Sequence, residues 1–184
     1  MTRLQFCIVV LLVALLGFGA MPRATAQDQD SDINTVLKLF PGYHVLTLEE
    51  RDAETRSYIL NHFAKANPSV IHVDIAGDGQ LDFALLLRQD KSKTAKLVIL
   101  LCSEDVSCKK VYDLDLTGYA EITYLRPVPV GSGVVQTDAI DTKDYPRPVR
   151  LAATGIEVTY LGKAKVVCYW NKKLKKVVEV QTED

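Results

Sequence analysis

The spacing of hydrophobic positions changes about a third of the way along the chain. Between residues 32 and 65 it is helical. Asp32 is placed to cap a short helix in which Ile33, Val36, Leu37 and Phe40 fall at i, i+3, i+4 and i+7, and Pro41-Gly42 stops it. Residues 27–31 are polar and read as a loose lead-in, and residues 43–46 read as a brief extended link. Thr47-Leu-Glu-Glu50 then has the spacing of a capping box: the Thr hydroxyl accepts from the third helical amide and the Glu side chain reaches back. A second helix is predicted to about residue 65, with Ile59, Leu60, Phe63 and Ala64 as its apolar stripe and Asn67-Pro68 as its end.

From Val70 onward short Val-, Ile-, Leu- and Tyr-rich runs alternate with turn residues, which is a strand pattern. The candidate strands are 70–73, 83–88, 96–102, 109–114, 120–126, 134–138, 150–152, 156–160, 165–170 and 177–181. Gly131-Ser-Gly, Thr154-Gly155, Leu161-Gly162 and Asn171-Lys-Lys separate several of them. Helices followed by consecutive strands predict an α+β fold, with one or two N-terminal helices packed on a mostly antiparallel β-sheet. No helical pattern separates the strands, which argues against a Rossmann-type parallel sheet. No fixed-period repeat is visible, which argues against a complete propeller or solenoid.

The N-terminus changes where this fold is expected to work. Arg3 opens a short basic segment, residues 6–20 carry no charge and are strongly apolar, and Ala24-Thr25-Ala26 offers the small residues a signal peptidase accepts. Residues 1–26 are therefore expected to be a removable signal peptide, leaving 27–184 as a single domain in a periplasmic or secreted location. The apolar run is shorter than the roughly 20 residues that span a bilayer. No second run is longer, so no stable membrane anchor is expected after cleavage. The leader holds Arg3 and Arg23 and no acids. Its loss takes the charge from −1 to −3, with 20 basic against 23 acidic residues. That balance gives no electrostatic reason to expect a nucleic-acid partner.

Export also makes disulfides possible. Cys7 leaves with the leader. Cys102 and Cys108 bracket Ser-Glu-Asp-Val-Ser between two strand-like runs, so they should face each other at the base of a hairpin and bridge. Cys168, in Lys165-Val-Val-Cys-Tyr-Trp170, is left over and is expected to be a buried, inert thiol.

The segment that carries chemistry is Asp74-Ile-Ala-Gly-Asp78-Gly79-Gln-Leu-Asp82. Carboxylates spaced four and four around a glycine turn can gather oxygens about calcium, with Asp74, Asp78 and Asp82 giving side chains and Gln80 its backbone carbonyl. Leu85 stands where an EF-hand needs its closing Glu. The same Asp residues can instead bond neighbouring amides in a metal-free Asx-type turn. The segment resembles the Asp-x-Asn-Gly-Asp-Gly-x-x-Asp loop of FG-GAP/VCBS-type repeats, found in integrin-α-like propellers and exported bacterial proteins. More loosely, the layout is similar to small exported bacterial proteins with a single such motif and no assigned activity. That resemblance implies a strand–loop–strand unit at 74–82 and calcium as the possible cofactor. Ala76 departs from the family's Asn or Asp and removes one ligand.

Catalytic signatures are absent from the sequence. His44, His62 and His72 have no paired metal-binding spacing, Gly131-Ser132-Gly133 is not a nucleophile elbow, and neither a phosphate-binding nor a dinucleotide loop occurs. Asp113/Asp115 and Asp141/Asp144 are acid pairs of a kind common on solvated edges. Lys172-Lys-Leu-Lys-Lys176 reads as a solvated hairpin turn that discourages edge pairing. Strand alternation puts Tyr169 and Trp170 on opposite faces, so they cannot form one aromatic platform. The expected function is a non-enzymatic, exported binding or interaction domain acting on a protein or a cell-envelope polymer. The alternative is an envelope-acting hydrolase using scattered carboxylates or His72.

Overall fold

The computed structural model describes residues 26–63, 67–105, 107–137 and 148–184. Residues 1–25 of the predicted leader, Ala64, and the Asp141/Asp144 pair lie outside them. The described chain carries helices α1 (Ala26–Leu37) and α2 (Ala53–His62) and eleven strands: β1 (Tyr43–Val45), β2 (Val70–Val73), β3 (Asp82–Gln89), β4 (Ala95–Cys102), β5 (Cys108–Asp115), β6 (Thr123–Val128), β7 (Gly133–Val134), β8 (Val149–Arg150), β9 (Gly155–Tyr160), β10 (Ala164–Asn171) and β11 (Lys176–Glu183). Every pairing among them is antiparallel.

The expected α+β class is overturned: the protein is mainly β. One sheet has the order β1-β3-β4-β5 with β2 also on β3, a second has the order β11-β10-β9-β6, and β7 with β8 forms a small ribbon. The main core lies between the two larger sheets. Ala84, Leu86, Leu97 and Ile99 come from the first, and Leu125, Ile156, Val158 and Cys168 from the second; all are buried in one cluster. Sheet-on-sheet packing of this kind fills its core from alternate residues of each strand. The helical spacing was real, but it does not build a layer. α2 buries only Thr55 and Ile59, while Leu60 of the predicted stripe is 63% exposed.

Both helix starts also differ from expectation. α1 begins upstream of Asp32, in the segment read as loose, and the chain tightens after Leu37 into i→i−3 bonds up to Phe40. Glu50 does reach back to the Thr47 amide, at 2.8 Å, yet residues 48–51 form a turn and α2 starts at Ala53. Its cap is Asp52, whose Oδ1 accepts from the Thr55 N–H at 2.7 Å.

A second, smaller core lies on the other face of the second sheet, where Val134 and Leu151 meet Val167 and Val180. Tyr169 packs against this cluster and Trp170 against the main core, so the two rings do face opposite ways. Cys102 and Cys108 sit directly opposite across β4 and β5 and are bridged, as expected. Cys168 is a buried free thiol, and burial pushes its pKa up to about 12, so it is protonated and inert at neutral pH.

Candidate functional site: a cleft at a divided sheet edge

One edge of β3 is shared by two strands laid end to end. β1 pairs with its C-terminal end, Val45 opposite Leu87, and β2 with its N-terminal end, Val70 opposite Leu85. Between them the chain leaves the edge at Leu46, whose amide bonds the Leu86 carbonyl at 2.9 Å. It returns at Ser69, whose carbonyl accepts from the Leu86 amide at 2.9 Å. A single residue of β3 thus holds both ends of an excursion that contains α2. A connection this long cannot follow the edge, and its described residues line an open cleft of about 530 Å³.

The walls are mostly apolar. Leu46, Ile59 and Pro68 are buried, Leu48 and Phe63 are partly exposed, and Leu60 stands open to solvent. Phe63 is fixed from behind by an edge-on contact with Tyr124 of β6 at 5.3 Å, and Tyr58 of α2 stacks on the same ring at 5.5 Å. The Leu125 amide ties β6 to the Pro68 carbonyl at 2.8 Å.

Among the described residues of this wall, Arg51 is the one that is charged. It is only 4% exposed. Its Nη2 donates to Ser69 Oγ at 2.6 Å, and that hydroxyl donates in turn to the Leu46 carbonyl at 2.6 Å. The relay joins the two ends of the excursion through the guanidinium. Nη1 is sealed from solvent, and neither it nor the rest of the guanidinium has a hydrogen-bonding or ion-pairing carboxylate among the described residues. Burial pushes the guanidinium pKa down to about 10 against the pull of neighbouring Glu50, so the group stays charged at neutral pH. A buried cation with an unmet donor is costly, and an anion placed against it relieves that cost.

Sequence reasoning missed Arg51 because the capping box at Thr47 predicted a helix through it and no residue of that helix before Ile59 was singled out. A turn at 48–51 stands there and Arg51 is buried. One signal was present: both acidic neighbours have other work, Glu50 on the Thr47 amide and Asp52 at the helix cap.

The expected calcium residues lie elsewhere and serve the backbone. Asp82 begins β3 with no exposed surface. Its Oδ2 accepts from the amides of Ile75 at 2.8 Å and Ala76 at 2.9 Å, and its Oδ1 from the Cys102 amide at 2.9 Å. Burial pushes this carboxyl up in pKa, and the three amides pull against that shift. Asp74 accepts from the amides of Gly77, Asp78 and Gly79 at 2.5, 3.1 and 2.9 Å, and Asp78 from the Gln80 amide at 3.0 Å. Gly77 and Gly79 have φ of +69° and +88°, as such a turn requires. Among the described residues no three His, Cys, Asp or Glu side chains are grouped to hold a metal. Lys172 reaches the loop from the β10–β11 turn, and its Nζ donates to the Gly77 carbonyl at 2.8 Å. The basic turn is therefore docked at one of its residues.

The remaining candidates also make contacts within the fold. His72 stacks on Phe83 with ring centroids 4.0 Å apart. His62 Nδ1 meets the Tyr58 carbonyl at 2.8 Å. Both nitrogens of His44 are engaged, Nδ1 with Asp90 at 2.8 Å and Nε2 with Glu50 at 3.0 Å. The Asp90 bond is the main cause of its raised pKa, with Glu50 adding to it and burial opposing. Asp113 pairs with Lys110 and Lys96, and Asp115 caps the Thr117 amide.

No family model, curated protein or solved structure matches the chain. The likeness of residues 74–82 to FG-GAP loops therefore rests on those residues alone.

Proposed function

We propose that this is an exported, non-enzymatic binding domain whose site is the cleft between Leu46 and Ser69. The observation that carries the reading is the buried, incompletely bonded Arg51 in an otherwise apolar wall. A charge in such a place is retained at a cost to stability, and ligand recognition accounts for it. His44, His62, His72 and the Asp113/Asp115 pair make their contacts within the scaffold, which favours binding over the hydrolase alternative. In this reading the aspartate loop is a structural clasp rather than the ligand site, and the leader directs the domain to the periplasm or beyond. Native mass spectrometry of the mature protein, released gently from the cell envelope, tests it. A co-purifying small molecule that Arg51→Met loses supports the proposal. Turnover of envelope substrates by the purified protein, abolished by a point change at His72 or an acid, overturns it.

A further inference from the structure

We infer that Asp78–Gly79 is a site of spontaneous isomerisation to a β-linked isoaspartyl bond, and that Asp74 holds it in check by binding the attacking nitrogen. The inference concerns the aspartate loop and stands apart from the cleft.

Asp78–Gly79 is the one Asp-Gly pair in the chain. In such a pair the glycine nitrogen can attack the aspartate Cγ. The N–Cγ bond forms, the Cγ–OH bond breaks, and one water leaves to give a cyclic imide. Water then adds back at either carbonyl. Opening at Cγ restores the peptide, whereas opening at the backbone carbonyl leaves the chain running through Cγ. The composition is unchanged, and water is the only co-reactant. Glycine favours the attack because no Cβ crowds its nitrogen. Asp78 and Gly79 are both exposed, and a Cβ placed at Gly79 would meet nothing within 4 Å. Neither burial nor crowding protects the bond.

Hydrogen bonds do. The Gly79 N–H donates to Asp74 Oδ2 at 2.9 Å, so the nucleophile must break a charge-assisted bond before it can turn. Loss of its proton beside a carboxylate is disfavoured as well, because like charges repel. Asp78 Oδ1 accepts from the Gln80 N–H at 3.0 Å, which ties the electrophile to the amide beyond the one it would react with. Asp74 Oδ1 also holds the Gly77 and Asp78 amides, and Lys172 Nζ holds the Gly77 carbonyl at 2.8 Å. Asp74 is thus a positioning residue that braces the backbone on both sides of Asp78. The isomerised chain cannot re-form this clasp: an added backbone carbon between the Asp78 and Gly79 amides spoils the spacing at which Asp74 holds both.

Ageing at neutral pH and physiological temperature, with peptide mapping and methyl-transfer labelling of isoaspartate, tests the inference. The mature parent, Asp74→Ala and Asp74→Asn are compared with an unstructured synthetic peptide covering residues 73–85. Isoaspartate at position 78 is expected to form in the folded parent about tenfold or more slowly than in the peptide, the rate equivalent of one charge-assisted bond. Asp74→Ala, still folded by circular dichroism, should approach the peptide's rate. Asp74→Asn, which keeps an acceptor without the charge, should fall between, and it carries the comparison if Asp74→Ala fails to fold. A parent that ages as fast as the peptide overturns the protection. Equal rates in the parent and the Asp74 variants overturn the role of Asp74. Slower ageing in the variants overturns it too, by making Asp74 a base that speeds the attack. Absence of isoaspartate from peptide and proteins alike overturns the site.

Discussion

Replacing Asp82 with alanine should be among the most damaging single changes in the chain, although the residue lies far from any chemistry. The carboxylate accepts from three backbone amides, those of Ile75, Ala76 and Cys102, and is itself fully buried. Hydrogen bonds to a charged acceptor contribute about 1.5–3 kcal/mol each, and a buried donor left without a partner costs about 1–3 kcal/mol. The cost of burying the charge offsets part of that gain, as the upward push on its pKa shows. A net loss of about 3 kcal/mol follows. With a urea slope of about 2 kcal/mol/M, the unfolding midpoint falls by about 1.5 M at unchanged slope. Asp74→Ala is the matched control. It also removes three amide bonds, but at exposed positions where water replaces the carboxylate, so it should cost about 1 kcal/mol or less. A loss below about 1 kcal/mol for Asp82→Ala, or an equal loss for the two variants, would refute the reasoning. Calcium gives an independent arm: a ligand of the native state raises the melting temperature. The clasp reading predicts no shift between millimolar calcium and chelator, and a rise abolished by Asp78→Ala would restore the loop as a calcium site.

Two further outcomes follow from the same geometry. Gly77→Ala should destabilise more than Gly79→Ala: both hold positive φ, at about 1–2 kcal/mol of strain for a Cβ. At Gly77, though, the new atom meets Ala153 Cβ at 3.0 Å and Lys172 Nζ at 3.1 Å, while at Gly79 it meets open space; paired urea melts check the order, and equal losses would contradict it. His44 should act as a latch that weakens with rising pH. Its folded pKa lies above the unfolded value, so its contribution is complete below about pH 6.5 and is lost as pH rises through the folded pKa. Glu50, whose folded pKa is lowered despite burial by the Thr47 amide and His44, sets the acid limit. Melting of the parent against His44→Gln should therefore differ at pH 6 and converge by pH 8, by less than about 1 kcal/mol because the ring is partly exposed; a gap that widens with pH would overturn the assignment.

The legible features of the sequence were those set by local rules. Strand alternation placed β2 to β5 and β9 to β11 within a residue or two, and opposed cysteines at a hairpin base identified the bridge. The glycine and aspartate spacing identified a tight turn, though not that Asp82 would reach across to the Cys102 amide of β4. What the sequence could not show depended on partners distant in the chain. The runs from 70 to 181 look alike whether they form one sheet or two, since each strand shows only that it has an apolar face. The helical stripe at 59–63 overstated α2, because periodicity does not report how much of a face is covered. Tyr43 to Val45 is too short to carry a strand pattern and pairs only because β3 offers an edge. The cleft depends most on distant partners of all: Leu46, Arg51 and Ser69 come together because Leu86 bonds both ends of the excursion.

The most direct test of the central claim compares amide and arginine side-chain NMR spectra of the mature protein before and after the small molecule that co-purifies from the envelope is stripped. Shifts confined to Leu46, Leu48, Arg51, Ile59, Phe63 and Ser69, including the Arg51 guanidinium resonance, with the loop at 74–82 unmoved, are the predicted result. Shifts centred on the aspartate loop, or scattered without the Arg51 side chain among them, would contradict it.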